Sequence, residues 1–235
     1  MRFVAAAALS AVGTLQSYGI NIVWDFSYDV HEFWTPEKRQ VLDLVAQQFN
    51  GYILNTPDYS IYSDDVMNFT ISFTDPGTGS LESIPYFPAG NQTLIIFAGA
   101  RPLEGSLLGL GGPVNYGFGY SSPRGETFAD LMYEADNEET FQPFAGTISL
   151  KLEADYYFGL EDAVPVGKID LFTLALHEVA HVLGIGTSDA WKARVDENGY
   201  YKGEHVVEIV GPDGLPTTPA HLDGPYVMNA TLTSG

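Results

Sequence analysis

Two histidines and a glutamate lie within five residues of each other in the segment His177-Glu178-Val179-Ala180-His181. Histidines four positions apart lie on the same face of a helix, one turn from each other, so both imidazoles can reach one metal ion. Glu178 can hold its carboxylate beside a metal-bound water without being a ligand itself. The spacing therefore predicts a zinc site on a helix, of the kind that activates water for hydrolysis.

The residues around this motif favour a buried helix. Asp170 is a candidate N-cap, and the positions between Asp170 and Gly184 are apolar almost all round. These apolar residues are Leu171, Phe172, Leu174, Ala175, Leu176, Val179, Ala180, Val182 and Leu183. Buried histidine and glutamate side chains need partners. Metal binding is one explanation for them, and a core helix whose histidines bond to backbone carbonyls is the alternative.

Two histidines do not complete a catalytic zinc site, which takes three protein ligands and leaves one position for water. The remaining histidines of the chain are His31, His205 and His221, and several carboxylates are also available. His31-Glu32 does not begin a second His-Glu-x-x-His motif, because position 35 is threonine and not histidine. His205 begins the segment 205–210, which we interpret as a strand, and His221 follows a Pro/Gly-rich segment that we interpret as a rigid loop.

Composition limits the kinds of partner that this chain can have. A formal charge of −20 argues against binding nucleic acid or an anionic membrane through a basic surface. The absence of cysteine excludes disulfides, a thiolate zinc site and a cysteine nucleophile. A hydrophobic content of 45% with 13% aromatic residues is typical of a globular protein.

The first hundred residues predict strand, helix, strand and strand. Residues 20–26 and 68–74 have strand composition, Thr35-Pro36 opens a helix, and the continuous apolar run 93–98 indicates a central strand.

The middle of the chain contains a glycine-rich segment and an alternating one. Residues 105–125 predict a loop, but not a phosphate-binding loop, because no Gly-Lys-Ser/Thr follows. Residues 146–153 alternate apolar and polar side chains, which predicts an exposed strand with one buried face. Further strands are expected around Tyr200-Tyr201 and over 205–210.

The motif His-Glu-x-x-His-x-x-Gly, followed at a distance by another histidine and a methionine, resembles the metzincin clan of zinc peptidases. In most metzincins the third ligand lies three residues after the glycine, where this chain has Thr187. The chain is similar instead to bacterial secreted members of the leishmanolysin-like branch, where an insertion separates the glycine from the third histidine. The resemblance rests on 177–187, 220–222 and 227–229, and extends weakly to 97–113 and 144–150.

This resemblance implies that His177, His181 and His221 bind Zn²⁺ and that Glu178 is the general base. Gly184 would permit the sharp turn towards the third ligand, because glycine tolerates left-handed dihedrals.

The resemblance also implies two supporting features. Met228 would form an apolar floor under the metal. A sheet-edge strand would pair with an extended substrate through main-chain hydrogen bonds. The edge-strand residues would be Gly146, Thr147, Ile148, Ser149 and Leu150.

The implied fold is α+β and metzincin-like, with a twisted mixed sheet, an active-site helix and a smaller C-terminal subdomain. We expect a signal-peptide remnant or mobile N-terminus over 1–18 and an N-terminal zincin subdomain over 19–186. A C-terminal subdomain over 187–235 would carry the third ligand and the methionine turn. The family continues past this turn into a closing helix, so we expect the domain to be truncated here.

The expected function is that of a secreted zinc metalloendopeptidase, which hydrolyses peptide bonds of a protein or peptide substrate with a metal-activated water. Neither a nucleic-acid partner nor stable membrane insertion is expected. One alternative is a gluzincin-like peptidase with Glu204 or Glu208 as third ligand. Another is a non-catalytic zinc-containing binding module. The presence of Glu178 argues against the module, because a structural zinc needs no base and usually takes a fourth protein ligand.

Overall fold

The computed structural model describes residues 20–49, 68–88, 93–119, 123–159, 163–218, 220–224 and 226–229. The signal-peptide remnant or mobile N-terminus predicted for 1–18 lies outside the described residues. The helices and strands of the described residues are, in chain order, β1 (Asn21–Asp25), α1 (Pro36–Phe49), β2 (Asn68–Thr74), β3 (Leu81–Ile84), β4 (Thr93–Arg101), β5 (Gly109–Pro113), β6 (Asn115–Gly119), α2 (Pro123–Ala135), β7 (Ala145–Lys151), β8 (Tyr156–Tyr157), β9 (Ile169–Asp170), α3 (Leu171–Val182), α4 (Asp189–Lys192), β10 (Tyr200–Tyr201), α5 (Glu204–Val210), β11 (Leu215–Thr218) and β12 (His221–Leu222). This mixture of helices and sheets confirms the α+β class.

A four-stranded sheet in the order β1-β4-β7-β5 forms the centre of the fold. Strands β1, β4 and β7 are parallel to one another, and β5 pairs with β7 in the antiparallel direction at the edge. The predicted central strand is confirmed, since β4 has a paired strand on each side. Apolar side chains of β1, β4 and β7 pack with those of α1 and α3. We call this group the main cluster, and it includes Leu42, Leu94, Ile148 and Leu174.

A second layer is rich in aromatic side chains. Strands β3, β2 and β6 form an antiparallel sheet. Its side chains pack with α2 and with Phe97 of β4 in a cluster that includes Phe69, Phe73, Phe128 and Phe144. Phe73 stacks on Phe97 with ring centroids 4.6 Å apart. The central sheet is therefore covered by apolar groups of two separate clusters.

The part of the chain after α3 forms its own small sheet, in the order β10-β11-β12. His221 lies in β12, which pairs with β11. The prediction of a rigid loop before His221 was therefore wrong for 215–218, which form β11, whereas 212–214 lie outside any helix or strand. Residues 215–218 form β11 although they include Pro216, because the pairing with β12 begins only at Thr217 and Pro216 has a paired strand on one side alone.

The glycine-rich segment 105–125, predicted to be a loop, contains β5, β6 and the start of α2. Glycine has a low intrinsic preference for strands. Here tertiary packing overrides that preference, because β5 approaches α3 so closely that glycine is needed at Gly109 and Gly111. The segment 205–210 was predicted to be a strand and lies in α5 instead. The N–H of Val207 donates to the carbonyl of Gly203, and Gly211 follows the helix with a φ of 98°.

The strand predicted to form the sheet edge lies in the interior of the sheet. Gly146, Thr147, Ile148, Ser149 and Leu150 belong to β7, which pairs with β4 on one side and β5 on the other. The alternation in sequence arises because one face meets the main cluster while the other meets the second layer. Ser149 is only 5% exposed, and its hydroxyl donates to the carbonyl of Pro76 at 2.7 Å. The edge strand on this side of the sheet is β5, next to β7.

None of the helices in the described part of the chain combines the length and apolar composition needed to cross a bilayer.

Candidate metal centre

Helix α3 carries the first part of the site and is buried along most of its length. His177, Glu178 and His181 are 5%, 3% and 6% exposed. The apolar residues around them pack in the main cluster, which explains why the helix forms at this position. Asp170 occupies the N-cap position, as predicted, but its carboxylate accepts a hydrogen bond from the hydroxyl of Thr173 and caps no backbone N–H.

A tight turn ends α3 and directs the chain away from the helix axis. Gly184 has a φ of 93° and its N–H donates to the carbonyl of His181. The hydroxyl of Ser188 donates to the carbonyl of Gly184 at 2.9 Å and also accepts from the N–H of Trp191. The turn predicted at Gly184 is confirmed, because this φ lies in the left-handed region that favours glycine.

Replacing Gly184 with alanine should lower the free energy of unfolding of the metal-free protein by at least about 1–2 kcal/mol. The alanine Cβ would meet the ring of Phe141 and the hydroxyl of Ser188 in addition to the unfavourable φ. Gly167→Ala is the matched control, because Gly167 has a φ of 85° with open space around a Cβ. Equal losses in urea unfolding of the two variants would contradict the packing contribution.

The three predicted histidine ligands lie together. The Nε2 atom of His181 is 3.1 Å from the Nε2 of His177 and 3.3 Å from the Nε2 of His221. These three residues form the group that could hold a metal ion among the described residues. Four ligands placed tetrahedrally at the usual zinc–nitrogen distance are about 3.3 Å apart, so the spacing suits one small cation.

The hydrogen bonds of the rings determine which nitrogen atoms face the cluster. The Nδ1–H groups of His177 and His181 donate to the carbonyls of Val227 and Ile185, at 2.6 and 2.7 Å. A carbonyl oxygen can only accept, so each Nδ1 carries a proton, and each Nε2 presents a lone pair when the ring is neutral. The Nε2 atoms of His177 and His181 are 3.1 Å apart, and their lone pairs repel each other unless a cation lies between them.

Burial keeps these rings neutral. Desolvation is the main cause that lowers the pKa of His177, His181 and His221. At His181 the neighbouring imidazoles also lower the pKa and the Ile185 carbonyl raises it, and the result of all these effects is a pKa of about 4. Neutral imidazole is the form that binds metal, so the donor set fits a divalent cation such as zinc.

Glu178 directly follows His177 on α3 and does not belong to the group of three histidines. Its carboxylate accepts a hydrogen bond from the backbone N–H of Gly111 in β5. Burial raises its pKa to about 8, and the Gly111 hydrogen bond acts in the opposite direction. A divalent cation on the adjacent histidines would favour the ionised form. The arrangement can therefore offer a carboxylate base beside a bound cation.

Other residues considered from the sequence lie elsewhere. His31 is exposed in a turn. Glu204 and Glu208 lie on α5, and the side chain of Glu208 contacts His205, whose own side chain is 90% exposed. Neither glutamate joins the group of three, so the position of His221 disagrees with the gluzincin-like ligand set.

Met228 is 5% exposed, and its carbonyl accepts from the N–H of Leu222, directly after His221. Its backbone therefore stabilises the strand that carries the third histidine. The function of its side chain as a floor under the metal stays a prediction.

Sequence reasoning missed the groups that hold the site in place. The carbonyls of Ile185 and Val227 orient two imidazoles, and no side-chain pattern indicates them. Gly109 and Gly111 lie against Glu178, and their only signal was the glycine-rich composition of a segment interpreted as a loop.

A cavity of about 590 Å³ lies beyond the end of α3, between Pro113, Tyr116, Asp136, Phe141 and Thr187. None of the three histidines lines this cavity, and neither does Glu178. The converging nitrogen atoms, and not the cavity, therefore identify the candidate site.

Comparisons with known proteins add no assignment: no protein-family model matches the chain, and no curated protein or solved structure matches it.

Proposed function

We propose that this protein is a zinc-dependent endopeptidase of the metzincin type, related to the leishmanolysin-like branch. The observation that carries the proposal is the group of three imidazole nitrogens that converge on one point, with the buried Glu178 next to the first of them on α3. The histidine set leaves a position for water, as catalytic zinc sites do. The third histidine follows the second by 40 residues, and Met228 comes seven residues later, in keeping with the motif of that branch.

His177, His181 and His221 would hold the zinc through Nε2. When bound there, zinc supplies Lewis-acid polarisation of the scissile carbonyl and lowers the pKa of water. Glu178 accepts a proton from the attacking water and then delivers it to the leaving amine. The Val227 and Ile185 carbonyls keep two rings in the correct tautomer.

The edge strand β5 supports the choice of an extended peptide as substrate. Leu108 and Val114 bond to β7 through their backbones, so the backbone groups of Gly109 and Gly111 between them point away from β7. The Gly111 N–H donates to Glu178, which leaves the Gly109 N–H and the two carbonyls for a substrate. No strand in the described part of the chain pairs with that side of β5. A peptide that adds at this edge would lie next to Glu178.

The test is a peptide-cleavage assay on a broad peptide mixture, combined with metal analysis of the same preparation. We expect about one zinc per chain and cleavage that stops with a chelator and returns with added zinc, because the three imidazoles are the only proposed anchors. Cleavage that persists after the metal has been removed would contradict the proposal. Bound zinc without cleavage of any peptide would indicate the non-catalytic binding module.

We also propose that the protein acts outside the cell. The charge of −20 suits an exported protein, and the first residues, 1–18, resemble the end of a signal peptide. Immunodetection in culture medium and cell pellet of the source organism tests this. A signal confined to the pellet would contradict it.

A further inference from the structure

Two glycines of β5 lie directly against the proposed base. A Cβ built on Gly109 would meet Oε1, Cδ and Cγ of Glu178, and a Cβ built on Gly111 would meet the backbone carbonyl of Glu178. By contrast, a Cβ on Gly112 of the same strand, or on Gly117 of β6, has no atom within 4 Å.

Conformational freedom does not explain the two glycines. Neither Gly109 nor Gly111 belongs to the glycines with positive φ, so any residue could adopt their backbone dihedrals. Space is the remaining reason, since β5 approaches α3 so closely that no side chain fits between them at these positions.

The same close approach provides a hydrogen bond. The N–H of Gly111 donates to the carboxylate of Glu178. Because the Gly111 backbone points away from β7, this N–H has no partner in the sheet ladder. A buried carboxylate needs such a donor, and the donor in turn restrains the carboxylate against β5.

We propose that Gly109 and Gly111 are positioning residues for Glu178: Gly109 leaves the space that its carboxylate occupies, and the N–H of Gly111 holds that carboxylate in place. This inference rests on the proposed function, in which Glu178 is the general base. The two glycines act through Glu178 and contribute no side chain to the chemistry.

The two positions should respond differently to alanine. At Gly109 the new methyl group meets the end of a flexible side chain, so the carboxylate moves and the backbone stays. At Gly111 it meets the backbone of α3, so β5 itself must shift. Gly109→Ala is therefore the informative variant, because it displaces the carboxylate while leaving the histidine cluster and the fold in place.

Gly109→Ala should lower kcat by about 10²-fold, since a displacement of about 1 Å of a catalytic group has effects of that size. KM and zinc content should change little, because β5 keeps its backbone and the three imidazoles keep their carbonyl partners. Gly117→Ala is the matched control and should retain wild-type kcat. A Gly109→Ala enzyme with the kcat of Gly117→Ala would overturn the inference.

A shorter side chain at position 178 tests whether Gly109→Ala lowers kcat by displacing the carboxylate or by disturbing the structure in general. Glu178→Asp removes one methylene and makes room for a methyl group at position 109. The double variant Gly109→Ala/Glu178→Asp should therefore have a kcat no lower than Glu178→Asp alone, which is a non-additive result. Additive losses would show that Gly109 acts independently of the carboxylate and would overturn the inference.

Amide hydrogen exchange of Gly111 reports on its hydrogen bond to Glu178 without requiring enzyme activity. Its protection should depend on the Glu178 carboxylate, so exchange should become roughly tenfold faster or more in both Glu178→Ala and Gly109→Ala. Gly117→Ala should keep wild-type exchange at Gly111. Unchanged protection in Glu178→Ala would overturn the inference, whereas a wild-type protein that cleaves no peptide but shows this exchange pattern would contradict only the proposed function.

Discussion

Turnover of a peptide substrate should fall by about 10²- to 10⁴-fold when Glu178 is replaced by glutamine, the usual contribution of a positioned general base. The glutamine keeps the size of the side chain and a carbonyl that can accept the Gly111 N–H, but it cannot take up a proton. Zinc should stay bound, because all three imidazoles remain. The measurements are kcat across a zinc titration and the metal content of the purified variant.

Glu204→Gln is a matched control for this variant, because Glu204 is an exposed glutamate on α5. It should retain wild-type turnover. The competing explanation for Glu178 is a carboxylate that only orients a histidine ligand, which predicts weaker zinc affinity. Recovery of Glu178→Gln turnover at saturating zinc would support that explanation and contradict the general base.

His221→Ala is expected to weaken zinc binding by more than the roughly 10- to 100-fold that loss of an outer hydrogen-bond partner produces. The variant removes one of three converging nitrogen atoms and leaves only the pair on α3. The side chain of His221 is partly exposed at the end of a short hairpin, so its loss should leave the main cluster and the fold intact. Zinc content after dialysis against a metal buffer measures the effect.

His205→Ala is the control, since His205 is an exposed histidine at the start of α5 that contacts Glu208. This variant should bind zinc like the wild type. If His205→Ala loses the metal and His221→Ala keeps it, the ligand set proposed here is wrong.

Short sequence patterns correctly predicted those helices and strands whose formation depends mainly on neighbouring residues. Pro36 begins α1 because its fixed φ and missing N–H suit the first helical position. The alternating segment 68–74 forms β2 with the predicted bounds, and the apolar run from Thr93 forms the central strand β4. Each of these signals lies within a few residues of the element that it predicts, so tertiary contacts had little to change.

The predictions that were wrong concern elements whose structure depends on distant partners. β5 is a strand because Gly109 and Gly111 fit against α3, a contact across almost 70 positions that glycine content alone does not indicate. The sequence of β7 predicts a strand with one exposed face, because Ser149 and Thr147 alternate with apolar residues. In the fold Ser149 is buried and its hydroxyl donates to the carbonyl of Pro76, while Thr147 is half-buried.

Local sequence was enough to place His177 and His181 together, because residues four positions apart lie on one face of a helix. It also made Glu178, three positions before His181, a neighbour of that histidine on the helix surface. It also determined the turn at Gly184, since only glycine adopts that φ readily. Which distant side chain completes the group was decided by tertiary structure alone. His205, Glu204, Glu208 and His221 were all open from the residues themselves. The β11–β12 hairpin brings His221 to the cluster, and α5 leaves the other three outside it, because packing over 40 residues and not local preference sets that distance.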